Sequence, residues 1–163
     1  MVSPGGEAIL ILGSVEGDLE GWYGRQGTAV FLRDGVVVRT VGLPQNLDAT
    51  RWPASDPFAA GLQTLHAPME DSRVLDWSPG YRYGVGVRGQ LIPAGTERVD
   101  ILGTVHALRR VDERVDDRAA GFKGTNHYWV DPADGFIWKS HQLIAPGLAL
   151  DLTVLRRYRK PHP

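Results

Sequence analysis

The chain contains no cysteine. This absence excludes disulfide bonds, thiolate metal sites and cysteine nucleophiles, although it does not identify a cellular compartment. An excess of charge of either sign is also missing, because 18 Lys and Arg residues face 19 Asp and Glu residues, giving a formal net charge of -1. Such a chain lacks the basic field that attracts nucleic acid or an anionic membrane surface. We therefore expect no nucleic-acid partner.

Long apolar runs are missing as well. The longest uninterrupted run covers residues 8–12, far below the roughly 20 residues that a membrane-spanning helix requires. The first residues, MVSPGG, show neither the basic region nor the apolar region of a signal peptide. The sequence therefore predicts no transmembrane span and no secretory leader in the chain as given.

Helical periodicity is scarce, whereas glycine (20 residues) and proline (11 residues) are plentiful. Two strand-turn-strand units stand out. In the first, residues 28–32 and 36–41 flank Asp34-Gly35, a pair that suits a type I′ hairpin turn because both central residues need positive φ. In the second, residues 128–131 and 136–142 flank a turn that opens with Pro132 and closes with Gly135.

Two further segments alternate between apolar and polar residues, as a strand with one buried face does. Residues 98–107 alternate, although the phase slips near Leu108, which indicates a bulge or a strand end. Residues 148–154 alternate again, with Leu150 and Leu152 among those predicted to point inward. Residues 8–14 are also compatible with a strand.

Three segments do not fit the strand pattern. Asp56 is expected to cap one short helix that starts at Pro57 and runs to Leu65, and residues 43–53 are interpreted as an irregular loop. Residues 109–118 carry charges of both signs. Mixed signs favour a solvated loop or sheet edge over the paired carboxylates of a glycosidase site.

Consecutive hairpins predict an antiparallel meander, and a meander of this length must curl into a barrel or half-barrel to cover its apolar face. No internal repeat or low-complexity linker interrupts the chain. We therefore predict one all-β domain over residues 1–163, with at most one or two short helices.

Enzymatic motifs are absent from the sequence, including the G-x-S-x-G elbow, the phosphate-binding glycine loop and the H-E-x-x-H zinc helix. Facing strands can bring His127 near His141, as a metal pair or an acid–base pair. Spacing alone defines no third ligand, so ordinary strand histidines are the preferred interpretation. We expect no catalytic residues, no metal and no cofactor.

Aromatic residues are the most informative side chains. Trp77, Tyr81 and Tyr83 flank the turn Ser78-Pro79-Gly80, and we predict a ligand or partner surface there, joined by Trp52. Rings on such a surface can stack on a glycan or anchor the edge strand of a partner protein. The alternative is that they fill a small β core. Tyr128 and Trp129 cannot both point inward from a regular strand, so one of them must be exposed, or covered by another element or a partner.

Three stretches carry a resemblance to a known family. They are DGVVVRTVGLPQNL (residues 34–47), WSPGYRYG (residues 77–84) and residues 126–158, which contain YWVDPADGFIWKSHQLIAPGLALDLTVLRRY. In this order they resemble the YjbF/GfcB-type family of capsule and exopolysaccharide lipoproteins, the group 4 capsule lipoprotein family. The last stretch is long enough to be fairly specific.

The resemblance implies a secreted, β-barrel-like domain that is lipid-anchored to the outer membrane and works beside polysaccharide-export machinery. It supplies no catalytic residues. The chain departs from the family at its start, which lacks a signal peptide and the acylated cysteine. It is therefore expected to be either a mature chain without its leader or a soluble relative, periplasmic or associated with the outer membrane.

These observations favour a non-enzymatic accessory or scaffold domain in bacterial capsule or exopolysaccharide assembly and export. Its expected partner is a protein of the export machinery or the polysaccharide itself. Two alternatives stay open: a polysaccharide lyase or hydrolase, and a structural adaptor for an outer-membrane export barrel. An enzyme needs an acid and a base in one cleft, an adaptor needs an exposed apolar or edge-strand surface, and a glycan binder needs exposed rings beside polar groups.

Overall fold

Strands dominate the computed structural model, which describes residues 2–3, 6–117, 119 and 121–159. The helical structure in this part of the chain consists of two 3-10 segments, Arg25–Gly27 and Leu62–Thr64. In the same residues, no helix has the length and apolar character needed to cross a membrane. The prediction of an all-β fold is confirmed.

Among the described residues, thirteen strands form two antiparallel sheets. The larger sheet contains β1 (Val2–Ser3), β2 (Gly6–Glu7), β7 (Asn46–Arg51), β8 (Met69–Ser78), β9 (Arg82–Ile101), β10 (Thr104–Asp117), β11 (Phe122–Val130), β12 (Ile137–Ala145) and β13 (Leu148–Thr153). Its spatial order is β2-β1-β13-β12-β11-β10-β9-β8-β7. The smaller sheet contains β3 (Ile11–Glu16), β4 (Leu19–Tyr23), β5 (Ala29–Arg33) and β6 (Val36–Val41), in that order.

The larger sheet curls into a half-barrel, as the meander predicted, and the smaller sheet packs against its inner side. Val30, Leu32 and Val37 of the smaller sheet share one buried cluster with Trp77 and Ile144 of the larger sheet. A second cluster forms where the segment after β7 packs its Phe58 and Leu62 on the inner side of β9 to β11. Burying apolar side chains from both sheets is the main stabilising term of such a fold.

Both predicted hairpin turns are confirmed. Asp34 and Gly35 have φ values of 49° and 79° between the paired residues Arg33 and Val36, as a type I′ turn requires. Gly135 also has a positive φ, 80°, and its N–H donates to the Asp131 carbonyl at 2.9 Å in the turn that joins β11 to β12. The last predicted strand is present as β13, with Leu150 and Leu152 buried.

The prediction of one strand over residues 98–107 is wrong. Leu102 and Gly103 adopt positive φ and form the tip of the long β9–β10 hairpin, with Asp100 Oδ1 accepting the Gly103 N–H at 2.9 Å. The alternation therefore belongs to two antiparallel strands, because Ile101 pairs with Thr104 across the tip. The two-residue turn places Ile101 and Thr104 on the same face, so Val105 lies on the opposite face and is 51% exposed. The apolar alternation of the sequence continues across the tip and gives no sign of this change of face.

Three other local predictions are also wrong. Residues 43–53 contain strand β7, which pairs with β8. Asp56 Oδ1 does accept the Phe58 N–H at 2.9 Å, as a helix cap would, but no α-helix follows, since Gly61 adopts a φ of 87° and only one 3-10 turn forms. Residues 109–117 form neither loop nor edge, because they belong to β10, which lies between β9 and β11. Arg118, the last residue of that prediction, lies outside the described residues.

The Asp34-Gly35 turn gives a stability prediction with an internal control. An ideal Cβ on Gly35 would lie 2.8 Å from the Ile137 Cβ, whereas a Cβ on Gly17, at the β3–β4 turn with a φ of 65°, would meet nothing within 4 Å. We expect Gly17→Ala to cost about 1 kcal/mol of unfolding free energy from backbone strain alone. Gly35→Ala should cost about 1–3 kcal/mol more, because overpacking is added. Urea unfolding measures both variants, and equal losses would contradict the contact with Ile137.

Candidate functional site

Tyr81 and Tyr83 lie at the tip of the β8–β9 hairpin and are exposed. Their relative exposures are 80% and 57%, and their rings meet edge to face with centroids 6.2 Å apart. Large aromatic rings usually bury most of their surface in a core, so an exposed pair at a loop tip is an available contact. We call these two residues the tyrosine tip.

The two tryptophans expected beside them point elsewhere. Trp77 is only 3% exposed and stacks on Phe122 with centroids 5.6 Å apart, and its indole N–H donates to the Ile144 carbonyl at 2.5 Å. Trp52 is half-buried, and its indole N–H donates to Asp71 Oδ1 at 3.0 Å. The expectation that Trp77 sits exposed near the loop is corrected by the alternation of β8, which places Trp77 on the same inner face as Leu75.

A histidine pair lies on the outer face of the larger sheet. His127 and His141 are register partners in β11 and β12, and their ring centroids are 5.9 Å apart, which confirms that facing strands bring them together. Each ring is held through Nδ1 by a carboxylate of the strand beyond it: His127 by Asp112 and His141 by Asp151, both at 2.7 Å. Spacing along one strand gave no sign of these partners, because both come from other strands.

This arrangement leaves the Nε2 atoms as the positions at which the two rings can exchange a hydrogen bond or a proton with a ligand. A metal would need further ligands. In the described part of the chain, no group of three or more His, Cys, Asp or Glu side chains has an arrangement that could hold a metal ion. The sequence-based expectation of no metal therefore stays a prediction.

Trp129 lies on the same outer face, while its neighbour Tyr128 is fully buried on the inner side. The indole N–H of Trp129 donates to Glu97 Oε2 at 2.6 Å, and Lys139 Nζ lies 4.8 Å from the ring centroid. Arg110 also donates to Glu97, at 2.6 Å. The prediction that one ring of the Tyr128-Trp129 pair is exposed, or covered by another element or a partner, is confirmed, since Glu97 of β9 and Lys139 of β12 contact Trp129.

The interior of the half-barrel contains a charged network that the sequence did not reveal. Arg73 of β8 donates to Glu113 of β10, whose carboxylate also accepts from Asn126 Nδ2 at 2.8 Å and from the Tyr128 hydroxyl at 3.0 Å. Asp71 lies beside Arg73, with Oδ2 at 3.4 Å from Nε. We call these five residues the interior network.

Neighbouring backbone is adapted to the interior network. A Cβ on Gly89 of β9 would lie 2.8 Å from Glu113 Oε1, so only glycine leaves room for the carboxylate there. Asn126 Oδ1 accepts the N–H of Leu143 in β12 at 2.7 Å. The network thereby ties β8, β10, β11 and β12 together from inside.

Burial raises the pKa of the Asp71 carboxyl to about 6, although the nearby Arg73 charge acts to lower it. Burial also acts to raise the pKa of Glu113, but the Arg73 charge and the hydrogen bonds from Asn126 and Arg73 outweigh it and hold that pKa below its ordinary value. Two carboxyls whose pKa values are pushed apart resemble an acid–base pair. However, Asp71 is 2% exposed and Glu113 is 0% exposed, so a polymer cannot reach them.

The Arg73–Glu113 pair gives a second stability prediction. Arg73→Met leaves the Glu113 charge buried and unpaired, and loss of one partner of a buried pair costs about 3–5 kcal/mol. The matched control is Arg51→Met, which breaks the exposed ion pair that Arg51 makes with Asp76 at 2.7 Å and should cost at most about 1 kcal/mol. Chemical denaturation compares the two variants. Similar losses would show that the interior pair does not carry the stability assigned to it.

Asp71 gives a pH prediction. Because its pKa is raised in the folded state, the folded chain binds this proton more tightly than the unfolded chain does. The resulting stability is fully present below the unfolded value of about 3.9 and is lost as the pH rises through about 6. Relative to Asp71→Asn, the unmodified chain should therefore gain unfolding free energy between about pH 7 and about pH 5. Parallel slopes for the two proteins would contradict the raised pKa.

Comparisons with known proteins agree with this architecture. The chain is 23% identical over 163 residues to the uncharacterized lipoprotein GfcB of Escherichia coli (strain K12), an alignment that covers 99% of this chain and 74% of that protein. The crystal structure of the hypothetical lipoprotein YmcC from Escherichia coli (K12) has the same fold, with a TM-score of 0.85 at 22% identity over 96% of this chain and 81% of that one.

The family comparison covers nearly the whole chain. Residues 1–155 match the family described as "Group 4 capsule polysaccharide lipoprotein gfcB, YjbF". The match includes all thirteen strands, the tyrosine tip, the histidine pair and the interior network. The chain belongs to the YjbF family of group 4 capsule polysaccharide lipoproteins.

Proposed function

We propose that this chain is a non-enzymatic accessory domain of capsule or exopolysaccharide assembly and export, which binds a glycan or a partner protein through the tyrosine tip. The observation that carries the proposal is the exposed pair of Tyr81 and Tyr83 on a member of a capsule polysaccharide family. The family's lipoprotein description supports a place at the bacterial envelope, periplasmic or outer-membrane associated.

The surroundings of the tyrosine tip suit a flat ligand. Cβ atoms on Gly80, Gly84 and Gly86 would meet nothing within 4 Å, so the backbone beside the rings is open. The Gly84 N–H donates to Asp76 Oδ1 at 2.7 Å, and Asp76 forms a two-pronged pair with Arg51 at 2.7 and 3.0 Å. Rings beside fixed planar polar groups can stack on the C–H face of a sugar while its hydroxyls form hydrogen bonds.

The alternative function, a polysaccharide lyase or hydrolase, has less support than the binding role. Its acid and base would have to face a cleft, whereas the two carboxyls with separated pKa values, Asp71 and Glu113, are sealed inside the half-barrel. All atoms of the Glu113 carboxylate that can accept a hydrogen bond are already bound by protein groups. This geometry supports a structural role for the pair.

The tyrosine tip is tested by the double variant Tyr81→Ala/Tyr83→Ala. Both rings are exposed, so their removal should cost less than about 1 kcal/mol of unfolding free energy, whereas loss of a contact hot spot costs about 2 kcal/mol or more of binding. We expect cells that carry only this variant to accumulate folded protein and to lose most surface polysaccharide. Leu102→Ala, at the 76% exposed tip of the β9–β10 hairpin, is the matched control and should leave polysaccharide unchanged.

Two measurements separate the ligand classes. Titration of the purified chain with capsule polysaccharide detects a glycan ligand, and crosslinking in cells followed by identification of the attached protein detects a partner. The double variant should abolish whichever signal the unmodified chain gives. Normal surface polysaccharide in cells carrying the double variant would refute the role of the tip.

A further inference from the structure

An apolar groove of about 800 Å³ opens along the line where the two sheets meet. One wall is formed by residues 9–12, at and before edge strand β3, together with Trp22 and Leu32. The other wall is formed by residues 152–159, the end of β13 and the segment that follows it. We call this feature the seam groove. Its volume lies within the range of about 300–1,000 Å³ that is typical of sites for one small ligand.

The seam groove is uncovered in the described part of the chain. Ile9 and Ile11 are 76% and 71% exposed, and Leu155 on the opposite wall is 45% exposed. Three large apolar side chains exposed around one concave surface differ from the scattered single residues of an ordinary protein surface. The arrangement indicates a site that a hydrocarbon group can enter.

Apart from the arginines, the polar side chains that line the seam groove are Trp22, Thr153 and Tyr158. Trp22 contributes its ring, but its indole N–H is already bound to Glu20 Oε2 at 3.0 Å, and Glu20 does not line the groove. A sugar placed between these walls would bury hydroxyl groups without partners, at a cost of about 1–3 kcal/mol for each. The walls therefore favour an alkyl chain over a glycan.

One end of the seam groove is strongly basic. Arg156, Arg157 and Arg159 line it, and no acidic residue is among the described residues that line it. Arg157 forms an ion pair with Asp134, and the Arg159 charge also acts on that carboxylate, so three guanidinium groups share one acidic neighbour. Guanidinium groups bind phosphate in a two-pronged geometry, so this end is complementary to an anionic phosphate head.

We propose that the seam groove binds a single-chain anionic phospholipid, with its alkyl chain between the isoleucines and the C-terminal segment and its phosphate on Arg156 and Arg159. An apolar volume continuous with a cationic end selects an amphiphile that has both parts. The site shares no residue with the tyrosine tip, and the inference does not depend on the function proposed for that tip.

Isothermal titration calorimetry with monomeric lysophospholipids tests the proposal. The probes are myristoyl lysophosphatidate and myristoyl lysophosphatidylcholine, which share the alkyl chain and differ in net head charge, each kept below its micelle concentration. We expect one molecule to bind per chain, with lysophosphatidate about tenfold tighter or more. Arg156→Gln/Arg159→Gln should reduce this preference to near unity, and it should weaken lysophosphatidylcholine less than lysophosphatidate, because choline offsets the charge of the phosphate.

Ile11→Asp tests the apolar wall, because it places a negative charge in the path of the alkyl chain. Both lipids should bind about tenfold more weakly or worse. Leu102→Asp, an equally exposed apolar position outside the groove, is the control and should change neither affinity. Thermal unfolding verifies that each variant remains folded.

Several results would overturn the proposal: no binding of either lipid, equal binding of both by the unmodified chain, or binding that Ile11→Asp leaves intact. Sedimentation gives a further opposing outcome. A dimer that Ile11→Asp dissociates, combined with no lipid binding to the monomer, would show that a second copy of the chain covers the groove.

Discussion

The buried ion pair between Arg73 and Glu113 is the constraint on which the larger sheet depends. Both side chains point into the half-barrel, where the residues around them are apolar or hydrogen-bonded. A charge in such a place is tolerated only with a partner and with its remaining hydrogen-bonding capacity filled. Asn126 and Tyr128 supply that capacity for Glu113, and Gly89 supplies the space. The pair thus determines which side chains of β9 and β11 can face it.

The interior network and the exposed surface have different roles in the proposed function. Asp71 and Glu113, the two carboxyls whose pKa values are pushed apart, belong to the interior network, so in the proposed role they act on structure and not on a substrate. The outer surface carries the groups that a ligand can reach: the tyrosine tip, the histidine pair with its two carboxylates, and the seam groove. In the proposed role, the chain binds its partner through these exposed features, so the role requires no cleft inside the half-barrel.

Local rules succeeded where one residue type determines the backbone. Asp34-Gly35 and Gly135 were predictable as turns because positive φ restricts the choice of residue. The half-barrel followed from consecutive hairpins and from the need to cover an apolar face. Local rules failed at β10, because each of its charged residues, considered alone, is expected to face solvent. Glu113 is buried only because Arg73, 40 positions earlier, lies opposite.

The surfaces were predictable only in part for the same reason. A Pro-Gly turn between aromatic residues correctly indicated a loop tip, but strand alternation decides that Trp77 points inward while Tyr81 and Tyr83 stay exposed. The pairing of His127 with His141 followed from the hairpin, whereas Asp112 and Asp151 come from the strands on either side, β10 and β13, and pair directly with the two histidines. The alternation of a strand does not define its register with the next strand, so the sequence did not indicate these carboxylates.

The most direct test of the central claim, that the interior carboxylates maintain the fold and perform no chemistry, is the amount of surface polysaccharide in cells whose only copy of the chain carries Asp71→Asn. Asparagine keeps an oxygen that can accept the Trp52 N–H but cannot act as an acid or a base. The account predicts that polysaccharide stays at the level of the unmodified chain while the variant protein is folded and abundant. Loss of polysaccharide with equally abundant, folded protein would contradict it.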